Sequence, residues 1–140
     1  MKKLLPVVAT VLVLVLSIVS CTPSTAPAET TAPAPTQPSG AIAWNEAKYH
    51  FGERATVYGA VVDTHWASGS KGKPTFLNIG KPYPDPDRFT VVIWIDYRAN
   101  FPQAPEVYYL GKTIYITGLI TEYNGVAQIE AKDPSQIQEQ

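Results

Sequence analysis

The chain has 140 residues, with 11 Lys and Arg against 12 Asp and Glu, and one cysteine. A formal net charge of −1 excludes capture of a polyanion by the overall field, so any nucleic-acid site must be a local patch. A single cysteine excludes a disulfide within one molecule and any metal site built on several thiolates.

Lys2 and Lys3 precede an apolar run from Leu4 to Val19, broken only by Pro6, Thr10 and Ser17, that ends at Ile18-Val19-Ser20-Cys21. A charged start, an apolar stretch and a small residue before the cut form the pattern of a secretory signal peptide. It resembles the lipobox of bacterial lipoproteins. That resemblance implies a diacylglycerol on the sulfur of Cys21 and a protein anchored by lipid on the extracytoplasmic face of a bacterial membrane. The alternatives are an ordinary signal peptide or a short transmembrane anchor, but an exported lone thiol at this place is odd without lipid. Removing residues 1–20 takes away Lys2 and Lys3 and leaves a net charge of about −3. Residues 21–40 are almost wholly Thr, Pro, Ala and Ser, with Glu29 and Gln37 as exceptions, so they have nothing to bury and read as a disordered tether. Residues 41–140 are enough for one core and not two.

Ile42, Ala43, Ala47 and Phe51 fall at helix-like spacing before Gly52, which predicts a short helix or turn over one end of the domain, with Trp44 and Tyr49 as packing residues. Arg54 to Asp63 is rich in β-branched residues and reads as a strand with Val57, Gly59 and Val61 inward. Its mid-strand glycine marks a bulge or sharp bend. Thr64 to Lys73 holds Gly69, Gly72 and two lysines and reads as a mobile loop that carries Trp66. Thr75 to Ile79 alternates, Leu77 and Ile79 on one face, Phe76 and Asn78 on the other. Gly80 to Arg88 contains three prolines and should be a stiff turn. In Phe89 to Asp96 the set Phe89, Val91, Ile93, Ile95 points inward, and Thr90, Val92, Trp94, Asp96 point outward.

Pro102 and Pro105 leave room for one or two helical turns between Tyr97 and Tyr109. Lys112 to Tyr123 repeats the first strand's design, with Ile114, Ile116, Gly118 and Ile120 inward. Asn124-Gly125 is the strongest hairpin signal in the chain, because a type I′ turn requires positive φ at both positions. Val126 to Ala131 returns with Ile129 inward, and in the polar tail only Ile137 offers an anchor. The count is five strands with a short helical connection after the third. This predicts an all-β domain, a five-stranded Greek-key barrel of the OB type, with an SH3-like barrel as the rival.

The stretches Thr56 to Val62, Thr75 to Pro84, Phe89 to Trp94, Gly111 to Ile120 and Asn124 to Glu130 resemble a bacterial family of small OB-fold domains described as nucleic-acid-binding or DNA-binding. The resemblance covers roughly Trp44 to Ile137, and this chain departs from the family in being net acidic. It implies a ligand, single-stranded nucleic acid, lying across the second and third strands, between the first long loop and the last hairpin.

In this sequence that surface presents Phe76, Asn78, Thr90, Val92 and Trp94, flanked by Trp66, Lys71 and Lys73 on one side and by Tyr123 and Asn124 on the other. Bases stack on aromatic faces whatever their identity, and lysines follow the phosphates. From Lys71 to Arg98 five basic residues face three acidic ones, a local excess of positive charge. Trp66, in a loop without an evident core position, is the aromatic best placed to meet a ligand. The bland alternative buries Phe76 and Trp94 under the proline loop or the 97–109 connection, makes Tyr123 a cross-strand partner, and leaves Lys71 and Lys73 as solubilising charges.

Catalysis has thin support. His50 and His65 lie in different elements, Asp63 and His65 together make a solvated strand end, and Asp85-Pro86-Asp87 lacks the spaced oxygen ligands of a calcium loop. No phosphate loop, nucleophile elbow or dinucleotide motif appears. The expectation is a non-enzyme without cofactor or metal: a membrane-tethered binding module whose partner is nucleic acid or, on the same face, an envelope protein or an oligosaccharide.

Overall fold

The computed structural model describes residues 38–140. The expected signal peptide, the expected lipidation at Cys21 and nearly all of the expected tether fall outside the described residues. Seven strands form: β1 (Ile42–Ala43), β2 (Arg54–Trp66), β3 (Thr75–Ile79), β4 (Phe89–Ile93), β5 (Thr113–Tyr123), β6 (Val126–Glu130) and β7 (Ile137–Glu139). Two one-turn helices, α1 (Ile95–Arg98) and α2 (Pro105–Tyr108), connect β4 to β5. The predicted five strands are β2 to β6. The two additions are short edge strands, β1 parallel to β2 and β7 antiparallel to β5.

The five long strands pair in a ring. β2 runs antiparallel to β3 and β3 to β4, β4 pairs in parallel with β6, β6 returns along β5, and β5 pairs with the first half of β2. This mixed sheet with its few helical turns is consistent with an OB-like barrel. Its core is the inner set read from the alternation: Val57, Val61, Leu77, Ile79, Phe89 and Val91 are fully buried, as are Ile93, Ile114, Ile116, Ile120 and Ile129. Ile95 is the exception. β4 stops at Ile93 because the Ile95 N–H donates to the Gly72 carbonyl (3.1 Å) and the chain turns into α1, which leaves Ile95 exposed.

Of the short helix or turn expected over residues 42–51, only a turn forms, preceded by a strand. Ile42 and Ala43 pair with Val57 and Tyr58, and the Trp44 N–H donates to the Tyr58 carbonyl (3.0 Å). Only one 3-10 turn, Ala47–Tyr49, fits before Gly52, too few residues to repay helix nucleation. Ala47 closes the core while Phe51 stays exposed.

The strand glycines do different work from the bend expected of them. The β2 bulge lies between Val61 and Asp63, two residues past Gly59. Gly59 instead makes room for Trp44, since a Cβ there would stand 2.6 Å from the indole Cδ1. Gly80 does the same farther along the indole, where a Cβ would collide with Trp44 Cε2 and Cζ2. Gly118 leaves space for Ile129 Cγ2. The Asn124-Gly125 turn forms with φ of 50° and 80°, as its type requires.

Candidate ligand-binding face

Cross-strand register builds the outer face of the ring in rows. His65, Phe76, Val92 and Glu130 lie abreast on β2, β3, β4 and β6, and Asp63, Asn78, Thr90 and Gln128 form the next row. The central strip is closed to solvent, contrary to the expectation of an open surface: Asn78 is 3% exposed, Thr90 4% and Val92 2%. Its polar groups satisfy one another. Asn78 Nδ2 donates to Asp63 Oδ2 (2.7 Å), the Thr90 hydroxyl donates to Asn78 Oδ1 (3.0 Å), and the Tyr83 N–H from the proline loop donates to Asp63 Oδ2 (3.1 Å). Asn78 and Thr90 therefore hold the face together and offer few groups to a ligand.

Phe76 and Trp94 are both partly exposed, neither sealed nor free. Phe76 pairs with Val92, and Trp94 follows two residues later on the same alternation, so the two positions are diagonal on the face. One edge of the indole is covered by the 67–74 turn, where a Cβ at Gly72 would sit 3.0 Å from Trp94 Cε3 and Cζ3. That turn is fixed by main-chain hydrogen bonds, Ser70 to Ala67 and Lys73 to Ser70, both 3.0 Å. It also brings Lys71 and Lys73 to this end of the face. Both lysines are exposed, and neither has an ion pair among the described residues.

Trp66 does not join them. β2 runs on to residue 66, so Trp66 belongs to a strand and not to a mobile loop. Beyond the bulge the alternation has changed phase, and Trp66 pairs with fully buried Thr75 on the side away from His65, where it remains 41% exposed. Its ring lies under Arg98, whose guanidinium carbon is 4.3 Å from the ring centre. Arg98 also donates to Thr75 Oγ1 (2.6 Å) and grips the Glu106 carboxylate through both terminal nitrogens (2.7 and 2.8 Å). This hydrogen-bonded guanidinium holds the Glu106 carboxyl below its ordinary range. Trp66, Arg98 and Glu106 tie α1 and α2 to β2 and β3 and form no part of the outer face.

The local excess of positive charge shrinks accordingly. Arg98 is matched by Glu106, and Lys81 by Asp85 (3.3 Å) and Asp87 (3.4 Å). The hydrogen bond to Asp85 raises the Lys81 ammonium, while Lys48, 3.2 Å from Asp87, is the main cause that lowers that carboxyl. Lys71 and Lys73 are the lysines left open beside the rings.

Tyr123 and Asn124 are exposed at the opposite end, beyond Ala127 and Phe89. A residue that sequence reasoning passed over stands near them. Tyr83, at the tip of the proline loop, is 70% exposed, and its ring rests on the Arg88 guanidinium. The only signal for it in the sequence is an aromatic flanked by Pro82 and Pro84. Among the described residues no group of three or more His, Cys, Asp and Glu side chains is placed to hold a metal ion, and His50 is engaged with Glu53 (2.9 Å).

No family model matches the sequence, and no curated protein matches it. Among solved structures the chain is similar to OBody AM1L10 bound to hen egg-white lysozyme, at 14% identity and a TM-score of 0.49 over 76% of this chain and 98% of that one. It is similar to a chain described as an aspartyl-tRNA synthetase from Leishmania major Friedlin, at 12% identity and a TM-score of 0.46 over 79% of this chain. An aspartyl-tRNA synthetase from Entamoeba histolytica gives 12% identity and a TM-score of 0.41 over 65% of this chain. The chain spans about a fifth of the length of either synthetase, 22% and 19%.

Proposed function

We propose that this protein is a binding module of the OB type, without catalytic activity, that takes single-stranded nucleic acid weakly and with little sequence preference. In this reading it is held at the extracytoplasmic face of the membrane by lipid on Cys21. The observation that carries the reading is the pair of partly exposed rings, Phe76 and Trp94, diagonal on one face with unpaired Lys71 and Lys73 at its end. Each ring stacks a base at about 1–3 kcal/mol, and the lysines follow the phosphates. Because Asn78, Thr90 and Asp63 are bonded to one another, few groups are left to read base edges, which supports tolerance of sequence.

Titration of the full chain in detergent against a fluorescently labelled single-stranded oligonucleotide tests this. The expected result is saturable binding that weakens as salt rises; absence of binding at low salt refutes it. A second reading is favoured by Glu130, a carboxylate in the row of Phe76, and by Asp63 in the next row, which repel phosphate but accept sugar hydroxyls. It makes the ligand a cell-wall oligosaccharide, and a glycan pull-down insensitive to salt is its test.

A further inference from the structure

The loop between β3 and β4 holds its aromatic tip more firmly than an idle surface residue requires. The Tyr83 main-chain N–H is bonded to Asp63 on the outer face, and the Arg88 guanidinium carbon lies 5.1 Å from the centre of the Tyr83 ring. Arg88 Nη1 donates to the Asp85 carbonyl (2.7 Å), the Asp87 N–H donates to Asp85 Oδ1 (2.9 Å), and Lys48 and Lys81 clamp the two carboxylates. An exposed ring on a pinned loop loses little conformational freedom when it binds.

Arg88 immediately precedes Phe89, so the period of two puts it on the same side as Thr90, Val92 and Trp94. Continuing the parallel register of Phe89 with Ala127 by one step sets it beside Val126, the cross-strand partner of Tyr123. Arg88 thus lies about 20 Å from Trp94 by strand rise, with the Tyr83 ring against it, while the Tyr83 N–H reaches back to Asp63 in the Asn78–Thr90 row. No carboxylate pairs with Arg88 among the described residues; its Nη1 is bonded to the Asp85 carbonyl and its Nε is buried without an acceptor.

We infer that Tyr83 and Arg88 form a second station for the same ligand: a nucleobase stacks on the open face of the Tyr83 ring while the Arg88 charge attracts the adjoining phosphate. This rests on the reading of Phe76 and Trp94 as the first station. A strand long enough to cover the face touches both stations, and a very short one touches only the first.

The test uses the full chain in detergent and fluorescein-labelled oligothymidylates of about 4 to 16 nucleotides, the range of site sizes for such a domain. Anisotropy is read for the wild type, Tyr83→Ala, Tyr83→Phe, Arg88→Gln and Phe76→Ala. Tyr83→Ala weakens binding of the longest oligomers about five- to a hundredfold and leaves the shortest unchanged, while Tyr83→Phe keeps most of the affinity. Arg88→Gln lowers the log–log salt slope for long oligomers by about 0.7. If Tyr83→Ala binds every length as the wild type does while Phe76→Ala is impaired, the second station is wrong and the first stands. An equal loss at all lengths also overturns it, because the site is then a single compact one. If the wild type binds no oligomer, both readings fall. Unchanged circular dichroism and Tm of the Tyr83 variants exclude misfolding as the cause.

Discussion

Replacing Gly80 by alanine drives a methyl group into the indole of Trp44, which packs against both Gly80 and Gly59. Two costs add at this position. The backbone has φ of +76°, and a side chain in that left-handed region costs about 1–2 kcal/mol. Overpacking against a ring that β1 and the following 3-10 turn hold in place costs about a further 1–3 kcal/mol. The sum, about 2–5 kcal/mol, is a large share of the stability of a domain this size and lowers Tm by at least about 8 °C.

Trp44→Leu removes the indole atoms that reach Gly80, so in that background Gly80→Ala should cost only the backbone share, about 1–2 kcal/mol. Urea denaturation of the four proteins, followed by far-UV circular dichroism, gives the coupling directly, expected at about 1–3 kcal/mol. If Gly80→Ala costs the same in both backgrounds, the indole does not fill the space above Gly80 and the packing argument is wrong.

Three further outcomes follow from the same geometry. Glu106→Gln should destabilise the domain by about 1.5–3 kcal/mol at neutral pH, because the pair with Arg98 is largely shielded, 19% and 15% exposed. Since Arg98 lowers the folded-state pKa of Glu106 below its ordinary 4.5, that advantage is complete above the unfolded value and fades as pH falls through the folded one. Urea titrations at pH 7 and in acid should therefore show the gap between wild type and variant closing in acid; a constant gap refutes the ion pair as its source. Asn78→Ala breaks the chain from Thr90 to Asp63 and should cost about 1–3 kcal/mol in the same assay, whereas an unchanged midpoint means that water replaces the amide. The double change Lys71→Gln and Lys73→Gln should lower the salt slope of oligonucleotide binding by about 1.4 without altering Tm, and an unaltered slope removes the two lysines from the site.

Tyr109 illustrates how the wall opposite the candidate face differs from it. Burial is the main cause raising its phenol above the ordinary 10.0, and it sits edge-on to Tyr108, with ring centres 4.9 Å apart. Lys112 reaches over Tyr108 at 3.4 Å to pair with Glu139 at 2.8 Å. These aromatics close the 101–110 connection onto β5 and β7.

The sequence alone was enough to name inner residues of β2 to β6, Ile95 apart, the Asn124-Gly125 turn and the anchoring role of Ile137, because a pleated chain with one wet face must alternate and a two-residue hairpin must accept positive φ. It was not enough to say which way Trp66 faces. One extra residue near Val62 reverses the alternation for everything beyond it, turning Asp63 and His65 outward and Trp66 toward Arg98. Nor could alternation show what lies over a face: Asn78 and Thr90 are on the predicted side but closed off by their bonds to each other and to Asp63, with the proline loop bonded to the same carboxylate. The use of Gly59 and Gly80 was equally hidden, since both serve an indole that arrives from another part of the chain. Period and turn chemistry are local and can be read along one strand; phase, cover and close approach depend on segments far apart in sequence, and only their meeting in the folded chain decides them.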